Sequence, residues 1–355
     1  MDKNAKIYIA GHNGLVGSAI YRHLQDQGYS NIIVRGSKEL DLRDQAATEA
    51  FFQQEQPEYV FLAAAKVGGI MANNTYRADF IYDNLLIQNN VIGSAHKYNV
   101  KKLLFLGSSC IYPKNAPQPM PENCLLTSEL EYTNEPYAIA KIAGIKLCES
   151  FNLQYGTNFL AVMPTNLYGS NDNYDLEKSH VLPAMIRKTH LAHLLENSDL
   201  TAIAKNLGIA NDETLVVTTL ERYGIVKDSS GQVTLNLWGT GTPKREFMHS
   251  DDMAEACVFV MNNVNFSDLG SDAKEVKNTH INLGTGIDQT IAEISQVIKG
   301  IIGFKGNIAF DSSKPDGTMR KLQDVSKINS LGWKHRISLD DGLQQTIRTY
   351  LESVA

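Results

Sequence analysis

The chain of 355 residues has few cysteines and no excess of positive charge, and each shortage excludes a class of protein. Its four cysteines, Cys110, Cys124, Cys148 and Cys257, form no CxxC pair, so neither a zinc site nor a disulfide framework is indicated. A net charge of −6 argues against nucleic acid as the main ligand, because proteins that bind phosphate backbones carry clustered positive charge. No apolar run reaches the ~18 residues of a membrane span, and no signal-peptide core is visible, so we expect a cytoplasmic protein without metal or membrane contact.

A glycine-rich turn lies between the first predicted strand and the first predicted helix. The β run Lys6–Ala10 leads into Gly11, His12, Asn13, Gly14, Leu15, Val16 and Gly17, and a predicted helix follows over Ser18–Gln27. Glycines spaced GxxGxxG permit a tight turn, close approach of the backbone to a pyrophosphate, and close packing of helix on strand, with the phosphates at the helix amino terminus. The position of this turn predicts a dinucleotide site.

The second predicted strand, Asn31–Val34, is followed by cations where an NAD-selective site usually has an acidic residue. Arg35, Ser37 and Lys38 suit the 2′-phosphate of NADP(H), although a solvated basic turn would have the same composition. Asp41 and Leu42 begin a segment that we expect to border the adenine.

Further apolar runs over Tyr59–Leu62, Lys101–Leu106 and Phe159–Met163 are typical of buried parallel strands. Ligands of open α/β folds bind where such strands end. The residues expected at that edge beside the cofactor are Ala63, Ala65, Leu106, Gly107, Pro164, Thr165, Asn166 and Leu167. The pattern predicts a Rossmann-type, doubly wound parallel sheet over residues 1–170, to which a segment near 240–265 returns.

Beyond residue 170 the pattern changes and predicts a smaller, discontinuous α/β substrate-binding lobe over 171–355. It includes a helical insert at about 194–233, in which Asn211-Asp212-Glu213 resembles a capped helix start. The apolar spacing within Phe80–Asn99 predicts a long helix. With the helix that carries Tyr137, it is a candidate for a dimer-forming bundle or for packing on the sheet.

The predicted chemistry centres on Ser108, at a strand end, and on Tyr137 and Lys141, which are four residues apart and so share one helical face. Pro136 suits the first turn of this helix, and Thr133 or Asn134 can cap it. A phenol titrates near pH ~10, and a neighbouring ammonium is expected to lower its pKa. With a serine hydroxyl that orients a carbonyl, the set predicts a proton donor for a ketone reduced by hydride.

The stretches AGHNGLVGSAI, GSSCIYP and NEPYAIAKIAGIKLCE resemble those of the extended short-chain dehydrogenase/reductases. Together with SHVLPAM, LWGTGTPKREFMHSDDMA and KPDGTMRK, they are similar to the bifunctional members that epimerise GDP-4-keto-6-deoxy-D-mannose at C3 and C5 and reduce it at C4. The resemblance covers nearly the whole chain except the insert. It implies an NADPH-dependent enzyme that makes GDP-L-fucose, and a homodimer formed through a helix bundle.

The resemblance also implies roles for individual residues. Tyr137 would donate the proton at C4, Lys141 would tune the phenol and hold the nicotinamide ribose, and Ser108 would orient the keto oxygen. Cys110 and His180 would be the acid/base pair of epimerisation, with His180 also near the cofactor. The residues matching GDP-sugar contacts are Lys188, Trp238, Arg245 and Asp316.

The sequence departs from the family at two places. Asn13 and Ser37 stand where the family often carries cations near the 2′-phosphate, so NADP preference would depend on Arg35 and Lys38. The insert is longer than in the shorter members, which leaves a reductase or epimerase of another GDP-keto-sugar, such as a heptose, as an alternative. A non-catalytic NADP-binding regulator on the same fold is a second alternative.

Overall fold

The computed structural model describes residues 1–270, 275–314 and 316–354, so Pro315 of the KPDGTMRK motif lies outside the described residues. The strands are β1 (Ile7–Ala10), β2 (Ile32–Arg35), β3 (Tyr59–Leu62), β4 (Lys102–Leu106), β5 (Phe159–Pro164), β6 (Asn166–Tyr168), β7 (Ile225–Lys227), β8 (Val233–Trp238), β9 (Lys244–His249), β10 (Ile281–Leu283), β11 (Asp288–Thr290), β12 (Asn307–Asp311) and β13 (Arg320–Lys321). The α-helices are α1 (Leu15–Asp26), α2 (Gln45–Glu55), α3 (Ile70–Thr75), α4 (Arg77–Lys97), α5 (Glu135–Tyr155), α6 (Val181–Glu196), α7 (Leu200–Leu207), α8 (Glu213–Arg222), α9 (Ser250–Asn263), α10 (Ile291–Ile302), α11 (Ser326–Ser330) and α12 (Leu339–Val354).

A six-stranded sheet has the order β10-β5-β4-β3-β1-β2, so it contains the first five strands of the chain and the later strand β10. Every neighbouring pair in it is parallel. The strand order reverses at β1, which lies between β2 and β3, and ligands of such sheets bind outside the carboxyl ends of the strands at this reversal. The prediction of a doubly wound parallel sheet is confirmed.

Both faces of this sheet are covered by helices. Ile7 and Ile9 point into a core shared with α1 and α9, whereas Tyr8 and Ala10 point into a core shared with α2, α4 and α5. Successive residues of a strand face opposite sides, so a strand that is buried on both sides must be apolar throughout. Burial on both sides therefore explains why the strands are uninterrupted apolar runs in the sequence.

The glycine-rich turn fits against the sheet only because it lacks side chains. Gly11 has φ +90°, and a Cβ there would lie 2.7 Å from the amide nitrogen of Ala64. A Cβ at Gly17 would lie 2.1 Å from the carbonyl oxygen of Gly11. Gly14 forms the N-cap, so α1 begins at Leu15, three residues before the predicted start.

The chain divides into two units. The first comprises Met1–Asn171, Glu246–Gly286 and Leu322–Ile337. The second comprises Asp172–Arg245, Ile287–Lys321 and the residues from Ser338 onward. Two later stretches thus belong to the first unit, whereas the sequence predicted a single returning segment near 240–265. The two stretches contain α9, β10 and α11.

The second unit contains a three-stranded sheet with the order β12-β8-β7, in which β12 is parallel and β7 antiparallel to β8. The insert holds α7 and α8, and the side chain of Asp212 caps α8 by accepting the Leu215 amide hydrogen at 2.8 Å. It also holds the strand β7, which the sequence analysis did not foresee. A three-residue strand is too short to show an alternating pattern.

Helices α4 and α5 pack against each other, and α5 also packs on the sheet. The buried Gln88 of α4 donates its amide hydrogen to the carbonyl oxygen of Ala140 at 2.7 Å. A Cβ at Gly144 of α5 would lie 2.4 Å from Cζ of Phe105 in β4. The predicted helix Phe80–Asn99 is α4, which begins and ends a few residues earlier than expected.

We expect the substitution Gly144→Ala to lower the free energy of unfolding by about 1 to 3 kcal/mol, because the added methyl group overpacks the core beside Phe105. Gly300 of α10 is the matched control, since no atom lies within 4 Å of the position of its Cβ. Gly300→Ala should raise stability by up to about 1 kcal/mol through helix propensity. Urea denaturation of both variants checks this, and a Gly144→Ala protein as stable as the wild type would contradict the described packing.

Candidate active site

The amino terminus of α1 has the features of a phosphate site. Gly14 is exposed, and no side chain of the described part of the chain caps α1. The first amide hydrogens of a helix have no partner within the helix and attract anions. Together with the close fit of Gly11 and Gly17, this turn suits a dinucleotide pyrophosphate, with His12, Asn13, Leu15 and Val16 completing it.

Arg35 ends β2 and Lys38 follows it, and these two cations differ in their contacts. The guanidinium of Arg35 donates to the carboxylate of Glu55 at 2.8 Å and to the carbonyl oxygen of Val34 at 2.8 Å, so it is already paired. Ser37 and Lys38 are exposed. Asn13 adjoins this turn, since its amide nitrogen is 3.9 Å from the position of a Cβ at Gly36. Lys38, which is exposed, stays the predicted partner of a 2′-phosphate.

The segments expected to flank the cofactor continue β2 and β3. Arg43 donates to the carboxylate of Asp41 at 2.7 Å, and this bond lowers the pKa of Asp41. The carbonyl oxygen of Leu42 accepts from the amide of Asn90 at 2.9 Å. Ala63 donates its amide hydrogen to Ala10 at 3.0 Å, and Ala65 follows without a bulky side chain. These hydrogen bonds fix the backbone of both segments.

Ser108, Cys110, Tyr137 and Lys141 come together in the first unit. The hydroxyl of Ser108 is hydrogen-bonded to the phenol of Tyr137 and accepts the amide hydrogen of Cys110 at 3.4 Å. A 3₁₀ turn over Ser109–Ile111 follows the end of β4 and holds Cys110. Lys141 lies one helical turn after Tyr137, with its ammonium 5.7 Å from the centre of the phenol ring.

The protonation of Tyr137 differs from the expectation. Burial raises the pKa of Tyr137, the negative charge of a Cys110 thiolate raises it further, and the hydrogen bond with Ser108 lowers it. The expected lowering by Lys141 was therefore wrong for the free protein, because the desolvation of the phenol outweighs its polar contacts. Tyr137 stays protonated at neutral pH, which is the state that a proton donor requires.

Lys141 is 3% exposed and donates to the carbonyl oxygen of Leu106 at 2.8 Å. Burial lowers its pKa to about 8, and the charge of Cys110 acts in the opposite direction. Gly107 follows Leu106, and a Cβ there would lie 2.3 Å from the sulfur of Met163. The end of β4 is therefore fixed by close packing and by the ammonium of Lys141.

The start of α5 depends on Glu131, which the sequence analysis missed. Its carboxylate accepts the amide hydrogens of Thr133 and Asn134, both at 3.1 Å, and the side-chain amide of Asn134 at 2.9 Å. Asn134 is the N-cap, but its own side chain makes no capping bond. An acidic residue just before a predicted helix was the available signal.

Glu246 is a second residue that the sequence analysis missed, although it stands within the quoted stretch KREFMH. This fully buried carboxylate accepts amide hydrogens from Thr285 at 2.6 Å, from Gly286 at 2.7 Å and from Gln323 at 3.0 Å. Its backbone carbonyl accepts from the side chain of Asn166 at 3.0 Å and from that of Thr165 at 3.3 Å. It thus fixes the segment Pro164–Leu167 that was expected beside the cofactor.

His180 belongs to the second unit, where it is the N-cap residue of α6. Burial lowers the pKa of its imidazole, and the ammonium of Lys321 lowers it further. His180 is therefore mostly neutral at pH 7, which is the form that can accept a proton.

The four residues expected to contact a GDP-sugar also lie in the second unit. Burial lowers the pKa of Lys188, and within the described residues its ammonium makes no hydrogen bond or ion pair. Arg245 donates to the adjacent carbonyl oxygen of Lys244 at 2.8 Å. Trp238 is 61% exposed, which leaves its indole available to a ligand. The carboxylate of Asp316 accepts from the amide and the hydroxyl of Thr240 at 2.9 and 2.8 Å.

Two features are absent from the described ranges, 1–270, 275–314 and 316–354. No group of three or more His, Cys, Asp or Glu side chains there is arranged to hold a metal ion. No helix there is long and apolar enough to cross a bilayer.

The fold and these sites define a class. The chain belongs to the NAD dependent epimerase/dehydratase family, whose model matches residues 7–205 and 212–284. It is 51% identical to GDP-L-fucose synthase 1 of Arabidopsis thaliana, over 99% of this chain and 95% of that protein. It is 48% identical to GDP-L-fucose synthase of Escherichia coli K12, over 98% and 97%. A solved structure of a GDP-D-glycero-L-gluco-heptose synthase from Campylobacter jejuni, in the presence of NADPH, is 46% identical, covers 99% of both chains and has a TM-score of 0.93.

We expect Lys38→Gln to raise KM for NADPH about fivefold, the size of a partly exposed ion pair of about 1 kcal/mol, and to leave KM for NADH unchanged. Lys334 is also an exposed lysine of the first unit, so Lys334→Gln controls for the change in net charge. Steady-state kinetics with both cofactors measure the effect. Equal changes for NADPH and NADH would contradict a 2′-phosphate contact.

We also expect kcat/KM for ketone reduction to fall about tenfold per pH unit above pH ~8, because Lys141 then loses the charge that stabilises a developing phenolate. This quantity reports the ionisations of the free enzyme, which is the state described here. In Lys141→Arg, whose guanidinium stays charged, the residual activity should show no decline near pH 8. A wild-type profile that is level to pH 9.5 would contradict this assignment.

Proposed function

We propose that this chain converts GDP-4-keto-6-deoxy-D-mannose into GDP-L-fucose, by epimerisation at C3 and C5 followed by reduction of the C4 ketone with NADPH. The observation that carries the proposal is the cluster of Ser108, Tyr137 and Lys141. The charge of a Cys110 thiolate raises the pKa of both Tyr137 and Lys141. The relatives named above support the choice of substrate.

In the reduction, the phenol of Tyr137 donates its proton to the C4 oxygen while the hydroxyl of Ser108 orients the ketone. NADPH, when bound at the glycine-rich turn, supplies the hydride that C4 accepts. The Lys141 ammonium stabilises the phenolate that remains after proton transfer, since an opposite charge nearby favours the ionised form. Water then returns a proton to Tyr137, so each turnover consumes one hydride and one proton.

In the epimerisation, the C4 ketone acidifies the hydrogens at C3 and C5. Removal of such a proton leaves an enolate, and protonation from the opposite face inverts the carbon. Cys110 and His180 supply the two groups that exchange protons. The lowered pKa of His180 makes its neutral form the resting state at pH 7, so it can accept a proton and return it in the same turnover.

The GDP portion is bound by the second unit in this proposal. The ammonium of Lys188 and the guanidinium of Arg245 suit the pyrophosphate, and the exposed indole of Trp238 offers an apolar face. Asp316 accepts two hydrogen bonds from Thr240, and its carboxylate retains further acceptor sites for a sugar or ribose hydroxyl.

A second candidate is a reductase or epimerase of a GDP-linked heptose. It is favoured by the likeness to the heptose synthase of Campylobacter jejuni. The first-unit cluster would perform the same reduction on either sugar, so the two candidates differ only in the sugar that is accepted.

We further propose a cytoplasmic homodimer. Tyr82 of α4 is 65% exposed, and Leu153 and Tyr155 of α5 are 56% and 53% exposed, so the α4–α5 pair presents large apolar side chains to its surroundings. A second copy of the pair would cover them in a four-helix bundle. All four cysteines lie in the described part of the chain as free thiols, in keeping with a reducing compartment.

The test is incubation with GDP-4-keto-6-deoxy-D-mannose and NADPH in deuterated water, with the product identified by NMR. We expect GDP-L-fucose that carries deuterium at C3 and C5. Cys110→Ser should reduce the deuterium content, and Tyr137→Phe should lower turnover about 10²- to 10⁴-fold while NADPH still binds.

Other outcomes would lead elsewhere. Reduction without deuterium at C3 and C5 would favour a simple reductase of a different GDP-keto-sugar. An absence of turnover with this substrate and with GDP-keto-heptoses, and no effect of Tyr137→Phe on cofactor behaviour, would favour the non-catalytic regulator.

A further inference from the structure

The segment that precedes His180 is a loop without regular structure. Residues 172–179 lead into α6, and the side chain of His180 makes no capping hydrogen bond to that helix. Within the loop, the carboxylate of Asp175 accepts the amide hydrogens of Glu177 and Lys178, both at 2.9 Å. His180 joins this loop to α6, so the position of its imidazole depends on both elements.

One guanidinium ties the loop to the insert. Arg187 lies two turns after His180 on α6, and its Nη1 donates to the carbonyl oxygen of Tyr174 in the loop at 3.0 Å. Its Nε donates to the side-chain oxygen of Asn206 at 2.9 Å, and its Nη2 donates to the carbonyl oxygen of Asn206. Asn206 lies in the last turn of α7, where carbonyl groups lack helical partners. A planar guanidinium with three bonds fixes direction as well as distance.

Two further contacts connect the same elements. Arg222, the last residue of α8, forms an ion pair with Glu177 of the loop. Both side chains are more than half exposed, so the pair adds little stability, but it joins the second helix of the insert to the loop. The ring of Tyr174 packs on that of Tyr350, 4.5 Å between centroids, and Tyr350 accepts from the amide of Asn206 at 3.0 Å.

We infer that α7, through Arg187, and α8, through Arg222, hold the loop 172–179 and so position His180 for proton transfer. The inference rests on the proposed function and assigns the insert a role in it. Arg187 and Asn206 are positioning residues, since they act on the substrate only through His180. The competing explanation is that the insert merely completes the core of the second unit, to which it contributes the buried Ile203, Val216 and Leu220.

The first measurement is deuterium uptake at C3 and C5 of GDP-4-keto-6-deoxy-D-mannose without NADPH, which reports proton transfer alone. Arg187→Lys keeps the charge but not the three-way contact, so we expect uptake to fall about tenfold or more through misplacement of the imidazole. Arg348→Lys is the matched control. It makes the same substitution at an exposed arginine of α12 in the same unit, away from the loop contacts described above, so uptake should stay within about twofold of the wild type. NADPH affinity should be unchanged in both variants.

The second measurement is the titration of His180 by NMR in protein with ¹³C-labelled histidine, with His180→Gln used for assignment. A displaced imidazole loses the surroundings that lower its pKa, so in Arg187→Lys the pKa of His180 should rise toward the ordinary value of about 6.5. The pKa of His180 should not change in Arg348→Lys. A purely structural role of the insert would lower the melting temperature without this shift.

The outcomes separate the two proposals. If the wild type shows no deuterium uptake, the proposed function is wrong, and the titration alone decides whether the insert holds the loop. If the wild type exchanges and Arg187→Lys exchanges equally fast with an unshifted His180, the inference is overturned while the proposed function stands.

Discussion

A buried ammonium is among the most costly groups to desolvate, and the first unit places one at the centre of its candidate site. Lys141 is accommodated because β4 ends at Leu106, whose carbonyl oxygen accepts its hydrogen bond. That bond fixes the register between the strand end and α5, and so the place of Tyr137 one turn earlier. The close approach of Gly144 to Phe105 depends on the same register.

The protonation states of these side chains suit the reduction of a ketone. Tyr137 holds its proton, because burial outweighs its polar contacts, and Lys141 is poised near its own titration. A ketone that accepts hydride needs a proton at the moment when its oxygen becomes an alkoxide, and a phenol beside an ammonium supplies one. In the second unit, burial and Lys321 keep His180 neutral. Desolvation is thus the largest cause of the pKa shift at each of these three groups.

The parts of the site that the sequence predicts are those whose partners lie close together along the chain. The glycine-rich turn, the serine after β4 and the Tyr137–Lys141 pair are each contained in a strand end or a single helical turn. Glu246 went unnoticed because its partners, Thr285, Gly286 and Gln323, are separated from it by up to 77 residues. The predicted direction of the pKa shift of Tyr137 was wrong. Spacing along a helix shows which charges are neighbours, but it does not show how deeply a side chain is buried. The pairing of Arg35 with Glu55 was missed for the same reason as Glu246.

The residues that donate hydrogen bonds to Glu246 come late in the chain, so they set the order in which the first unit can fold during synthesis. The sheet begins at residue 7, but its edge strand β10 pairs with β5 only after more than a hundred intervening residues have been made. Until then the nascent chain presents β5 as an open edge, to which other strands can add. The carboxylate of Glu246 receives its last amide hydrogen when Gln323 emerges. The first unit therefore finishes folding after nearly the whole second unit has left the ribosome, against the usual order in which amino-terminal domains fold first.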